Sequence, residues 1–192
     1  MNETRKTVMP LILSLTVVVG AALALQACAY EDDDDDRGYS RFLPARVDFR
    51  PADNPQYVEE CGACHLAYPP GMLPSLSWRR IMSGLEDHFG ENAELDVESA
   101  RHITAYLTAN AADRSHIGRA PHVARSLRGN APLRFTKTRY FLRKHHEIPR
   151  RLVADNPDVG SFSRCEACHA GAKQGNYNEH QVRIPGVGRW DD

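Results

Sequence analysis

Cys61-Gly62-Ala63-Cys64-His65 and Cys165-Glu166-Ala167-Cys168-His169 are the two stretches on which the reading of this chain turns. Each sets two cysteines three positions apart and follows the second directly with a histidine. On one helical turn, that spacing lets both thiols reach the vinyl groups of a porphyrin and form thioethers. It also places the histidine beneath the iron as proximal ligand. The pattern predicts two covalently bound haem c groups, held by Cys61, Cys64, Cys165 and Cys168, with His65 and His169 on the irons.

Three other uses of paired cysteines compete. Two disulfides would suit an oxidising compartment, but they leave the histidine after each pair unexplained. A zinc site built from both pairs needs them to converge, and they are far apart in the chain. A thioredoxin-like redox pair needs a βαβ setting, and no such pattern surrounds either motif.

Of the 192 residues, 42% are hydrophobic and 26% charged, with a formal net charge of -1. A nucleic-acid binder would show a basic excess, which is absent here. Arg5 and Lys6 precede an apolar run from Leu11 to Leu25 that ends in small residues, the order of an export signal. Residues 1–29 are read as that signal, with two readings of the cut. Ala27-Cys28-Ala29 offers a cleavage site before Tyr30. Leu25-Gln26-Ala27-Cys28 resembles a lipobox, in which Cys28, the fifth cysteine, would carry a lipid anchor. No later apolar run is long enough to span a membrane, so the mature chain is expected to be exported without a membrane span.

The acidic run Glu31 to Asp36 and the polar stretch after it read as a solvated, disordered linker over residues 30–53. Asn54-Pro55 then makes a helix start, with Asn as cap and Pro in the first turn. Pro69-Pro70-Gly71 breaks the chain after the first motif. A second helix is expected from Ser77, carrying Trp78, Ile81, Met82, Leu85 and Phe89 up to Gly90. A third starts at Asp96 and puts Val97, Ala100, Ile103 and Leu107 on one face. Residues 111–133 lose periodicity and read as connection. Helical character returns over residues 136–148, and no strand pattern is evident. The haem motif is the one internal repeat, which divides the chain into a first haem domain over 54–112 and a second over 113–192.

The sixth iron ligand separates an electron carrier from a ligand-binding or catalytic haem. His88 shares the apolar face of the second helix with Trp78, Ile81 and Leu85, which makes it the first-haem candidate, with Met72 and Met82 as alternatives. His145 aligns with Phe141 and Ile148 and is the second-haem candidate, with His146 and His180 as alternatives. His102, His116 and His122 read as surface residues. Around His145, Arg134, Lys137, Arg139, Arg143, Lys144, Arg150 and Arg151 surround the single acid Glu147. They form either a solvated basic face or a surface for haem propionates and an acidic redox partner.

The stretch from Glu60 through Cys61, His65, Pro69-Pro70-Gly71-Met72 and Pro74, then Ser77-Trp78 and Asp87-His88-Phe89-Gly90, resembles the dihaem cytochrome c family of bacterial periplasmic proteins. Tyr140-Phe141, Arg143, His145, Glu147-Ile148, the second motif and Ile184-Pro185 resemble its second half. The resemblance implies a mostly α fold: a class I cytochrome c-like N-terminal haem domain plus a small, largely irregular C-terminal one. It implies bis-histidine iron at both haems, with His88 and His145 as distal ligands, and electron transfer without catalytic residues. It further implies redox partners such as a membrane-bound b-type cytochrome or a small monohaem oxygen-binding cytochrome. A dihaem peroxidase or a haem-based sensor would instead need one open iron.

Overall fold

Asn54 accepts a hydrogen bond from the Tyr57 amide at 2.9 Å, which caps the first helix, α1, Pro55–Gly62. The computed structural model describes residues 47–190. The export signal, Cys28 and the acidic run fall outside the described residues. α1 carries Cys61, and the chain leaves it into the Pro70–Met72 3-10 turn. α2, Ser75–Met82, is capped from a distance. The Ser75 amide and hydroxyl each donate to a different Asp113 carboxylate oxygen at 2.7 Å. α3, Val97–Ala109, starts on Asp96, whose carboxylate accepts from the Glu98 and Ser99 amides.

α2 packs on α3, and α1 joins them around Tyr57, Leu73, Trp78, Ile103, Leu107 and Ala111. Trp78 buries its ring and donates its indole N–H to the Pro70 carbonyl at 2.8 Å, so its one polar atom is satisfied. α4, Ala120–Leu127, and α5, Arg139–Lys144, pack on each other. Phe49, Met72, Val123, Leu127 and Tyr140 fill a second core there. The chain ends in a hairpin of β1, Arg183–Ile184, and β2, Gly188–Arg189, paired antiparallel with Arg183 opposite Arg189. The fold is mostly helical, and the described residues fall in one compact unit.

Several expectations are corrected. The second helix stops at Met82, because Ser83 and Gly84 leave helical geometry, so Leu85, His88 and Phe89 do not share its face. Of the face expected on α3, Ile103 and Leu107 are buried, but Val97 is 86% exposed and Ser99 joins them in its place. Residues 111–133 contain α4, whose Ala120, Val123 and Leu127 face the core at helical spacing. The tail holds a two-stranded hairpin where no strand was expected. Residues 47–53 are not a solvated linker: Asp48 and Phe49 are buried. The Asp48 and Phe49 amides both donate to the Gly175 carbonyl, and the Asp48 carboxylate pairs with Arg119 at 2.8 Å. Gly118 and Gly175, both at positive φ, give this segment room; a Cβ at either would run into the Asp48 or Phe49 backbone.

Candidate haem sites

At the first motif, Cys61 ends up part-buried near the close of α1, while Cys64 and His65 lie exposed beyond it. The His65 Nδ1–H donates to the Leu66 carbonyl at 2.8 Å. A carbonyl can only accept, so the proton sits on Nδ1 and the Nε2 lone pair is free for a metal. Facing this ring is His88, with centroids 6.2 Å apart and planes 20° apart. His88 follows the Leu85–Asp87 3-10 turn, and its amide donates to the Glu91 carbonyl at 2.7 Å. Phe89, next in line, takes the left-handed conformation at φ 59°. The Arg134 guanidinium lies 3.8 Å from the Phe89 ring centroid, a cation–π contact that braces the loop.

At the second motif, Cys165–Ala167 is a 3-10 turn, and the His169 amide donates to the Cys165 carbonyl at 2.8 Å. His145 caps the C-terminus of α5, and its Nδ1–H donates to the Phe141 carbonyl at 3.0 Å, again leaving Nε2 free. The His145 and His169 centroids are 6.2 Å apart, with planes 72° apart. The His169 Nδ1 is buried with no hydrogen-bond partner. Both rings line a pocket of ≈ 1000 Å³, open solvent at its mouth included. Its lining is largely apolar, from Phe135, Phe141, Ile148, Phe162 and Ile184, and includes Cys165 and Cys168.

The two pairs admit a simple fit. A metal–imidazole nitrogen bond is about 2.0 Å and the nitrogen lies about 1.1 Å from its ring centre, so trans imidazoles on one metal have centroids roughly 6 Å apart. Both pairs stand at that separation. His146 is exposed, and its Nδ1–H donates to the Arg143 carbonyl. His180 is exposed on the tail, and His102 is exposed with its Nε2 2.9 Å from the Asn54 amide nitrogen. Met72 lines the second pocket rather than facing His65, and Met82 packs on the first core.

Burial governs the local charge. It lowers the His88 pKa, helped by His65 and Arg134, and pushes His169 down to about 4, helped by His145. The Cys61 thiol is pushed up to about 11 and Cys165 to about 12, first by burial and then by a neighbouring glutamate. Such thiols are poor thiolate nucleophiles, unlike those of a thioredoxin-type pair. Among the described residues, no group of three or more His, Cys, Asp or Glu converges on one point, so the two pairs do not form a zinc site. In the basic cluster, Lys144 reaches Glu179 at 3.7 Å and Arg150 reaches Asp155 at 3.8 Å, while Arg134 sits on Phe89.

Four site residues escaped the sequence reading. Tyr68 lies 5.3 Å from the His65 ring centroid, and Tyr177 lies 5.3 Å from that of His169. Leu66 shares a buried cluster with Cys165 and Ala172, and Phe49 lines the second pocket. An aromatic three residues beyond the first motif is a weak signal for Tyr68; Tyr177, Leu66 and Phe49 come in through tertiary packing.

A mostly helical chain with two Cys-x-x-Cys-His motifs, each facing a second histidine, has the make-up of a c-type cytochrome. The dihaem cytochrome c family model matches residues 57–177. Among solved structures, the chain is 45% identical to a diheme cytochrome c from Shewanella baltica OS155, covering 72% of this chain and 98% of that one with a TM-score of 0.60. It is 42% identical to a diheme cytochrome c from Rhodobacter sphaeroides, covering 67% and 99% with a TM-score of 0.58. No curated protein matches. The chain belongs to the dihaem cytochrome c family: it is an electron-transfer haem protein with two covalently bound haem c groups.

Proposed function

We propose that the chain relays single electrons between redox proteins through two bis-histidine haems. Cys61 and Cys64 anchor the first, with His65 and His88 on its iron. Cys165 and Cys168 anchor the second, with His169 and His145. The observation that carries this reading is the 6.2 Å ring separation in both histidine pairs. An iron closed on both faces changes charge without gaining or losing a ligand, so reorganisation is small and transfer is fast. Each haem draws its ligands from its own segment, residues 54–112 or 113–192. In this reading the first segment is the class I-like haem domain and the second the irregular one.

The setting is the periplasm, reached through the signal at residues 1–29, with or without acylation of Cys28. No helix among the described residues is long and apolar enough to cross a membrane. Partners of the kind implied by the family resemblance, a membrane-bound b-type cytochrome and a small monohaem cytochrome, dock through small transient interfaces. The basic side chains around His145 favour acidic ones. An anaerobic titration tests the relay. The protein should take up two electrons in one-electron steps and pass both to an oxidised c-type cytochrome in stopped flow. Uptake without onward transfer, or turnover of peroxide, would contradict it.

A further inference from the structure

We infer that Leu66 and Tyr68 form the contact through which an electron passes between the two haem sites. The inference rests on the relay reading above and adds the route inside the chain. Leu66 is 8% exposed and shares one buried apolar cluster with Cys165 and Ala172. Its carbonyl accepts the His65 Nδ1 hydrogen bond at 2.8 Å. The residue that orients the first site's imidazole therefore sits in the same buried cluster as the cysteine that opens the second motif.

Tyr68 makes the same connection independently. Its ring lies 5.3 Å from that of His65, and its hydroxyl donates to the Ser163 carbonyl at 2.6 Å. The Cys165 sulfur lies 3.8 Å from that same carbonyl oxygen. As a thioether, that sulfur would no longer donate, yet it belongs to the residue two positions on from Ser163. Both routes leave His65 and both arrive at Cys165.

Electronic coupling falls steeply across empty space and less through bonds, hydrogen bonds and packed atoms, so a continuous contact sets the rate between sites. Tyr106 offers a contrast: its ring lies 5.6 Å from that of Tyr57, and its hydroxyl donates to the Asp53 carboxylate at 3.0 Å within its own half. The transfer moves one electron. One iron is oxidised by a single unit as the other is reduced, and no proton or bond changes hands.

The test is flash reduction of the holoprotein followed by re-equilibration between the haems, in the parent, Leu66→Ala, Tyr68→Phe and Tyr106→Phe. Leu66→Ala and Tyr68→Phe should slow exchange several-fold in both directions, with potentials and low-spin spectra unchanged. Tyr106→Phe should exchange at the parent rate. If Leu66→Ala fails to assemble, Tyr68→Phe, which removes one oxygen atom, carries the test. Leu66→Ala and Tyr68→Phe proteins with intact spectra and the parent's rate would overturn the bridge. Carbon monoxide binding by the parent would overturn the relay reading itself, whatever the rates.

Discussion

His145 and His169 face each other at 6.2 Å between ring centroids with their planes 72° apart, whereas His65 and His88 keep the same separation at 20°. Near-parallel imidazoles donate into the same iron d orbital and split the pair that holds the unpaired electron. Near-perpendicular ones raise both orbitals alike and leave them almost degenerate. The ferric protein should therefore show one rhombic low-spin signal and one strongly anisotropic one by electron paramagnetic resonance. Two identical signals would contradict the ring orientations.

Methionine in place of one histidine raises a haem's potential, because a thioether favours the reduced iron. His88→Met should raise the potential of one haem and His145→Met that of the other, in a redox titration that resolves both. His146→Met should move neither, since that ring is exposed and turned to the Arg143 carbonyl.

The buried Asp48 carboxylate pairs with the part-buried Arg119 at 2.8 Å beside the second site, and it also accepts the Tyr177 amide at 2.6 Å. Asp48→Ala removes the ion pair and the acceptor of the Tyr177 amide together, at a cost of about 3 kcal/mol, read from the shift of a denaturant midpoint. Gly118→Ala should cost more than about 1 kcal/mol, since its φ of +55° and its neighbouring Asp48 carbonyl both reject a Cβ.

Asp113 gives a signed pH dependence. Burial raises its pKa, and the two Ser75 hydrogen bonds, with its own backbone amide and Arg114, together more than offset this, so the folded carboxyl titrates below its ordinary value. The unfolded carboxyl titrates at about 3.9. The cap therefore contributes fully above that pH and is lost as pH falls through the lower folded value. The stability difference between the parent and Asp113→Asn should be constant near neutrality and shrink in acid; a difference that grows in acid would contradict the assignment.

Sequence carried the chemistry of the sites further than their geometry. The two Cys-x-x-Cys-His motifs are local, so their spacing alone announces covalent haem. His88 was reached by a helix face that does not exist: α2 ends at Met82, and a turn with Phe89 in the left-handed region brings the ring to His65. The helix expected over 136–148 is likewise shorter: α5 ends at Lys144 with His145 as its C-cap, so Phe141 stacks on the His145 ring while Ile148 lies beyond the helix. α4 was invisible because Arg119 is no capping residue, and Pro121 in its first turn was the lone start signal. The contacts of Asp48, Leu66, Tyr68 and Tyr177 join positions remote in the chain, which no periodicity encodes.

The central claim, that both irons are closed by two histidines, is tested most directly by the reduced spectrum with and without carbon monoxide. The account predicts no change at either haem. Rapid, stoichiometric binding at either one would contradict it.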